Sequence, residues 1–166
     1  MHVYNWVLVY KILKVHYIIY GMTIINYIVH PLCLLQDDRA ATDNLITRLG
    51  DYAAENPGRY ILEFQDEQTA SDLDNDYFNT YGVCPEPRAP YQNRLRNLLS
   101  ECDTFEGAPD NYTVAGPVHI IGHGTLESSC VKTCVEDLVK RLCSEGVDAT
   151  YEIRSETCLD VDVYTH

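Results

Sequence analysis

The last third of the chain has the most regular alternation of apolar and polar positions. Residues 118–121 read VHII, a short apolar run typical of a buried strand, and GHG at 122–124 predicts a turn after it. Apolar residues three and four positions apart predict an amphipathic helix from Ser128 or Ser129 to about Cys143. Residues 149–155 predict the next strand. A helix between two strands indicates a βαβ unit, in which the strands are parallel and the crossover is right-handed.

The middle of the chain repeats this alternation of helical and extended patterns. Its predicted elements are, in order, a helix at 42–55, a core strand at 59–65, a long acidic loop at 66–90, a short helix at 91–102 and a second loop at 103–117. Helices and strands therefore alternate along the chain, and this order favours a three-layer α/β fold with a mostly parallel sheet.

The N-terminal region has a different composition from the rest. Residues 17–35 contain no charged side chain, and such a run approaches the roughly 20 residues that span a bilayer. Lys11 and Lys14 precede the run, and the positive-inside rule places that end in the cytosol. We therefore expect a hydrophobic signal or anchor segment at 1–36 and an acidic α/β domain at 37–166, secreted or membrane-anchored outside the cytosol. The alternative is that residues 1–36 are a buried segment of the domain. The sequence also leaves open whether the chain is truncated at its C-terminus.

The charge of the chain narrows the choice of partners. Twenty-five acidic residues against 12 basic ones give a net charge of −13. Such a chain repels phosphate backbones, so a nucleic-acid partner is excluded. Membrane contact is expected only through residues 17–35. The partner that the charge favours is a basic protein or peptide.

Seven cysteines indicate either disulfides or reactive thiols. Removal of a signal segment would take away Cys33 and leave six cysteines, which permit three disulfides in an oxidising compartment. Cys130 and Cys134 have a spacing that zinc sites use, but no second pair matches them. The sequence therefore predicts neither a metal nor a cofactor.

Two reactive side chains follow the two strands of the predicted βαβ unit. His123 comes after 118–121, and Cys158 comes after 149–155. Because the carboxyl ends of parallel strands meet at one edge of the sheet, we expect the two side chains to lie side by side. An imidazole beside a thiol can take its proton and create a nucleophile. The backbone N–H of Gly124 would then be a donor to the developing oxyanion.

The segments VHIIGHG at 118–124 and YEIRSETC at 151–158 resemble the caspase–haemoglobinase class of cysteine peptidases. That class has an apolar strand ending in His-Gly, a helix, and a second strand ending in the nucleophilic cysteine. The resemblance covers residues 118–160 and implies that His123 is the general base, Cys158 the nucleophile and Gly124 part of the oxyanion hole. It also implies a caspase–haemoglobinase-like sheet, with a flavodoxin-like sheet as the alternative. The run VHIIGHGTLESS is also similar to sirohydrochlorin chelatases, where the histidine serves as a metal or tetrapyrrole base.

A second class of function needs no active site. A secreted or membrane-tethered, disulfide-braced acidic domain that binds a protein partner would account for both the charge and the cysteines. Whether the protein is an enzyme therefore stays open at this stage. The state of the thiols distinguishes the two hypotheses, because a peptidase needs Cys158 as a reactive thiol.

Overall fold

The computed structural model describes residues 21–160, and their centre is a five-stranded parallel sheet. The strands are β1 (Thr23–Val29), β2 (Arg59–Glu63), β3 (Asp103–Glu106), β4 (Val118–Thr125) and β5 (Ala149–Leu159). The helices are α1 (Arg39–Glu55), α2 (Glu67–Tyr81), α3 (Ala89–Leu98) and α4 (Lys132–Ser144), with a 3₁₀ turn at Pro109–Asn111 and a π turn at Glu127–Val131. The strand order is β3-β2-β1-β4-β5. The predicted α/β class, with a parallel sheet between flanking helices, is confirmed.

Two hydrophobic clusters cover the two faces of the sheet. The first packs α1 and α3 against one face and includes Ile28, Leu45 and Leu95. The second packs α4 against the opposite face and includes Tyr27 and Val135. Successive residues of a strand point to opposite faces, so the adjacent residues Tyr27 and Ile28 enter different clusters. The result is three layers, with the sheet in the middle.

The apolar N-terminal run supplies the central strand of the sheet. Strand β1 pairs with β2 on one side and with β4 on the other, and Ile25, Tyr27 and Ile28 are fully buried. A central parallel strand is buried on both faces and is therefore apolar without alternation. The expectation of a separate signal or anchor segment is thus corrected for residues 21–36, while its remaining residues, 1–20, lie outside the described part. Among the helices of residues 21–160, none combines the length and apolar character that crossing a membrane requires.

The acidic stretch at 66–90 is helical over most of its length, so the predicted long loop is wrong. Helix α2 begins after Asp66, whose carboxylate accepts a hydrogen bond of 2.9 Å from the N–H of Thr69. It ends at Gly82 in the left-handed conformation. None of its residues is buried, and most of them are polar or acidic, so the sequence of this helix is also typical of a loop. The predicted loop at 103–117 likewise contains the edge strand β3.

Strands β4 and β5 extend further than their apolar runs. Strand β4 continues to Thr125, so residues 122–124 are part of the strand and the predicted turn is wrong. Strand β5 continues to Leu159 and includes Cys158. The register pairs Gly124 with Val29 on β1 and with Cys158 on β5. An irregularity between Gly122 and Gly124 interrupts the β4–β5 pairing just before this point.

Candidate functional site

The structure places His123 and Cys158 on neighbouring parallel strands, but their side chains lie on opposite faces of the sheet. His123 pairs in register with Ile28, which belongs to the cluster under α1. Cys158 belongs to the cluster under α4, together with Val29 and Val131. No hydrogen bond joins the His123 ring to the Cys158 thiol within residues 21–160. The two predicted catalytic groups are therefore separated by the backbone of the sheet.

The ring of His123 is held by a buried polar chain instead. Its Nδ1 lies 2.5 Å from the hydroxyl oxygen of Thr157, and its Nε2 lies 3.1 Å from Oδ1 of Asn26. The Tyr52 hydroxyl donates to the same Asn26 oxygen at 3.1 Å, and the Tyr52 ring centroid is 4.7 Å from that of His123. An amide oxygen only accepts, so Nε2 carries the proton of the neutral ring and Nδ1 accepts from Thr157. Both nitrogens are thus engaged away from the thiol.

The electrostatic surroundings favour the uncharged forms of both groups. Burial, together with the charge of Arg154, lowers the pKa of His123 to about 3, although Glu152 opposes the shift. Burial, together with the charge of Glu127, raises the pKa of Cys158 to about 12. The backbone N–H of Gly124, which donates to the thiol, acts in the opposite direction. At neutral pH the ring is therefore neutral and the thiol protonated, whereas a thiolate is the form that attacks carbonyl carbon.

No family model, curated protein or solved structure matches the chain. The resemblance to the caspase–haemoglobinase class therefore stays a prediction.

All seven cysteines are free thiols, so the predicted disulfides are wrong. Cys84 and Cys143 are exposed on different parts of the surface, whereas Cys158 is buried under α4. Cys130 and Cys134 lie near the start of α4, where burial and the charge of Glu63 raise the pKa of Cys134 to about 11. Within the described residues, no three or more His, Cys, Asp and Glu side chains are grouped so that they could hold a metal ion.

A cleft that the sequence did not indicate lies between α2 and the turn that follows β1. Its volume is about 160 Å³, and we call it the α2 cleft. The turn contributes Cys33, Gln36 and Asp37, and α2 contributes Leu73, Asp76, Tyr77, Thr80 and Tyr81. These α2 positions have the spacing of one helical face. The turn follows the carboxyl end of a parallel strand, which is where open α/β sheets place their ligands.

Polar side chains fix the position of α2 beside this turn. Asp74 on α2 accepts hydrogen bonds from Gln36 Nε2 at 3.0 Å and from Arg88 Nη2 at 2.8 Å. Gln36 also donates to the carbonyl of Glu86 at 2.9 Å and accepts from its N–H at 2.8 Å. Arg88 donates to the carbonyl of Leu32 at 3.1 Å. Gln36 and Arg88 therefore connect the turn, α2 and the segment after α2.

Replacing Arg88 with alanine is expected to loosen α2 without unfolding the sheet. The Arg88 side chain is only 11% exposed, so its hydrogen bonds to Asp74 and Leu32 are worth more than those of a surface pair. We expect amide hydrogens of α2 to exchange about tenfold faster, because about 1.5 kcal/mol of charge-assisted hydrogen bonding is lost. Hydrogen exchange followed by mass spectrometry measures this change. Arg94→Ala is the matched control, since Arg94 is 42% exposed in its pair with Asp43, and an equal effect of the two substitutions would contradict the prediction.

The surface around the cleft is both acidic and aromatic. Phe78, Tyr81 and Val83 are 50%, 63% and 53% exposed. Residues 66–87 contain no lysine or arginine and six acidic residues, namely Asp66, Glu67, Asp72, Asp74, Asp76 and Glu86. We call these three exposed apolar side chains and six acidic ones the α2 surface. Exposed apolar side chains that form a patch rimmed by polar residues mark binding surfaces.

Proposed function

We propose that this protein is a non-enzymatic binding domain that holds a basic segment of a partner protein on the α2 surface. The observation that carries the proposal is α2 itself, a helix of 15 residues without one buried residue. Helices of this length are marginal in water unless tertiary contacts stabilise them. The aromatic side chains of α2 gain little from the domain, because Phe78 and Tyr81 remain largely exposed. A partner that covers them would supply the missing apolar contact.

Charge complementarity indicates the chemistry of the partner. The α2 surface carries six carboxylates, of which Asp74 and Glu86 are paired with Arg88 and Arg39, on a chain whose net charge is −13. Opposite charge accelerates association and disfavours acidic competitors. A basic amphipathic segment matches both properties, since its cationic side chains meet the carboxylates and its apolar side chains cover Phe78 and Val83. Binding of this kind is expected to weaken as salt increases.

The peptidase hypothesis has less support from the geometry. Proton transfer needs the His123 ring within about 3 Å of the Cys158 sulfur or joined to it by one water. Both ring nitrogens instead contact Thr157 and Asn26, and the thiol lies on the other face of the sheet. Catalysis would require strands β4 and β5 to change their pairing.

Alkylation rates of the thiols distinguish the two hypotheses. We expect iodoacetamide to modify Cys158 at least roughly 100-fold more slowly than the exposed Cys84, because Cys158 is buried and its pKa is raised to about 12. Mass spectrometry of peptides from the native protein, sampled over time, gives both rates. The same reaction in urea is the control, and there the two rates should converge. Cys158 reacting fastest in the native protein would favour the peptidase.

A peptide-binding assay tests the proposed function directly. We expect a fluorescent amphipathic peptide of leucine and lysine to bind the full chain, and its leucine–glutamate counterpart not to bind, as measured by anisotropy. Phe78→Ala should weaken binding about fivefold, the effect of removing roughly 1 kcal/mol of apolar contact. Tyr151→Ala is the matched control, because Tyr151 is another exposed aromatic residue but lies on β5. Equal binding of the two peptides, or of the two variants, would overturn the proposal.

A further inference from the structure

The residues that line the α2 cleft include two aspartates, two tyrosines and the apolar Leu73. We infer that the cleft binds one arginine side chain. This inference rests on the proposed function, because the arginine belongs to the basic partner segment. The carboxylates of the cleft come from opposite walls, with Asp37 on the turn after β1 and Asp76 on α2. Its volume of about 160 Å³ has room for a side chain and not only for a single water molecule.

The two carboxylates of the cleft differ from the other acidic groups near them. Asp74 is paired with Arg88, and Glu86 lies 3.6 Å from Arg39. Within residues 21–160, the side chains of Asp37 and Asp76 make no hydrogen bond or ion pair. They border a concave space that contains no basic side chain among its lining residues. A guanidinium group has five N–H donors in a planar fork and can satisfy carboxylates on both walls.

The tyrosine rings supply a surface on which a planar cation stacks. The ring centroids of Tyr77 and Tyr81 are 5.0 Å apart, and both rings line the cleft. A guanidinium group within about 6 Å of a ring centroid is attracted by the electrons of the ring face. Leu73 and the Cys33 thiol provide apolar contact for the methylene groups of the arginine stem.

The domain already uses this combination of ring and carboxylate for its own arginines. Arg96 lies 5.5 Å from the centroid of Phe64 and binds both carboxylate oxygens of Glu106, at 2.8 and 2.6 Å. Arg154 lies 5.0 Å from the centroid of Tyr52 and donates to Glu152 at 3.1 Å. The lining of the α2 cleft has the rings and the carboxylates but no cationic side chain of its own. The occupant that completes the arrangement is therefore an arginine from another chain.

Arginine fits these walls better than the other cations. The ammonium group of lysine is a compact charge that cannot stack on a ring and bind two carboxylates in one plane. Ca²⁺ and Mg²⁺ prefer six or more oxygen ligands, and within the described residues no group of three or more His, Cys, Asp and Glu side chains could hold a metal ion. The turn and α2 are also held together by Gln36 and Arg88, so the walls are in place before the ligand arrives.

Titration with single amino-acid derivatives tests the site. The probes are the N-acetyl methylamides of arginine, lysine and citrulline, added to the full chain and followed by NMR signals of the tyrosine rings. We expect the arginine probe to shift the Tyr77 and Tyr81 signals and to bind at least about threefold more tightly than the lysine probe. Citrulline has nearly the same shape but no charge, and it should cause no shift. Asp76→Asn should weaken arginine binding about tenfold, as loss of a charge-assisted pair does.

Asp51→Asn is the matched control, because it removes the same charge from an exposed position on helix α1, outside both the cleft and the α2 surface. Equal effects of the two substitutions, or equal shifts with all three probes, would overturn the arginine site. The experiments can overturn the two proposals independently. If the leucine–lysine peptide still binds but the arginine probe is not preferred, only the proposed arginine site is overturned. If the arginine probe is preferred but the peptide does not bind, the proposed binding of a basic partner segment is overturned. Circular dichroism of each variant confirms that it is folded.

Discussion

Gly124→Ala is expected to destabilise the domain by about 3–5 kcal/mol, among the largest effects of a single substitution. A Cβ at this position would lie 2.0 Å from the carbonyl oxygen of Val29. Val29 belongs to β1, the central strand, and cannot move away without breaking its pairing with β2 or β4. The φ angle of Gly124 is +131°, a conformation that residues with a Cβ rarely adopt. Steric clash and backbone strain therefore act together.

Substitutions at two other glycines allow the effect of the steric clash on stability to be distinguished from the effect of backbone strain. Gly146 has φ of +84°, and a Cβ added there would have no neighbour within 4 Å, so Gly146→Ala should cost only about 1–2 kcal/mol of strain. Gly58 has neither a clash nor a positive φ, and Gly58→Ala should be nearly neutral. Urea denaturation of the three variants measures the series, and an expressed but unfolded Gly124→Ala counts as the expected result. A loss no larger than that of Gly146→Ala would mean that β4 shifts to accommodate the methyl group.

Lowering the pH from about 6.5 to about 3 is expected to destabilise the domain steadily through His123. The folded state holds the pKa of His123 at about 3, against 6.5 for an unperturbed histidine. Between these values the unfolded chain binds a proton that the folded state does not bind. The contribution of His123 is therefore fully present above pH 6.5 and is lost as the pH falls towards 3. The expected slope from this one group is about 1.4 kcal/mol per pH unit.

Comparison with His123→Gln isolates this contribution. The variant removes the titrating ring, so its free energy of unfolding should fall less steeply with decreasing pH, whatever its stability at pH 7. Measurements between pH 6.5 and 5 are the most informative, because Glu152, whose folded pKa is about 2 and whose ordinary value is 4.5, contributes only at lower pH. Burial also lowers the pKa of His30, so His30→Gln is the control with a smaller effect of the same sign. Identical slopes for the wild-type protein and His123→Gln would contradict the buried, neutral state of the ring.

The sequence alone determined the elements whose burial leaves a local periodic pattern. The predicted helix at 42–55 corresponds to α1, the strand at 59–65 to β2, and the βαβ unit to β4, α4 and β5. Each of these helices buries one stripe and exposes the other, so its spacing is visible in a short window of residues. The class of the fold followed from the order of these elements.

Two elements were predicted wrongly because the composition of each also fits a different structure. Strand β1 is buried on both faces, so it is mostly apolar and has no charged side chain, as is also typical of a membrane segment. Helix α2 has no buried residue, and most of its residues are polar or acidic, as they are in a loop. The position of each element relative to the sheet decides these cases, and that position depends on residues far away in the chain.

The relation of His123 to Cys158 was decided only by tertiary structure. The sequence correctly indicated that both residues lie near the carboxyl ends of neighbouring parallel strands. Side chains alternate across a sheet, so a change of one residue in register moves a side chain to the other face. The irregularity of the β4–β5 pairing after Gly122 places Thr157 beside the His123 ring and Cys158 on the opposite face. The sequence thus determined which residues reach the edge of the sheet, whereas strand register, set by packing over the whole domain, decided which of them meet.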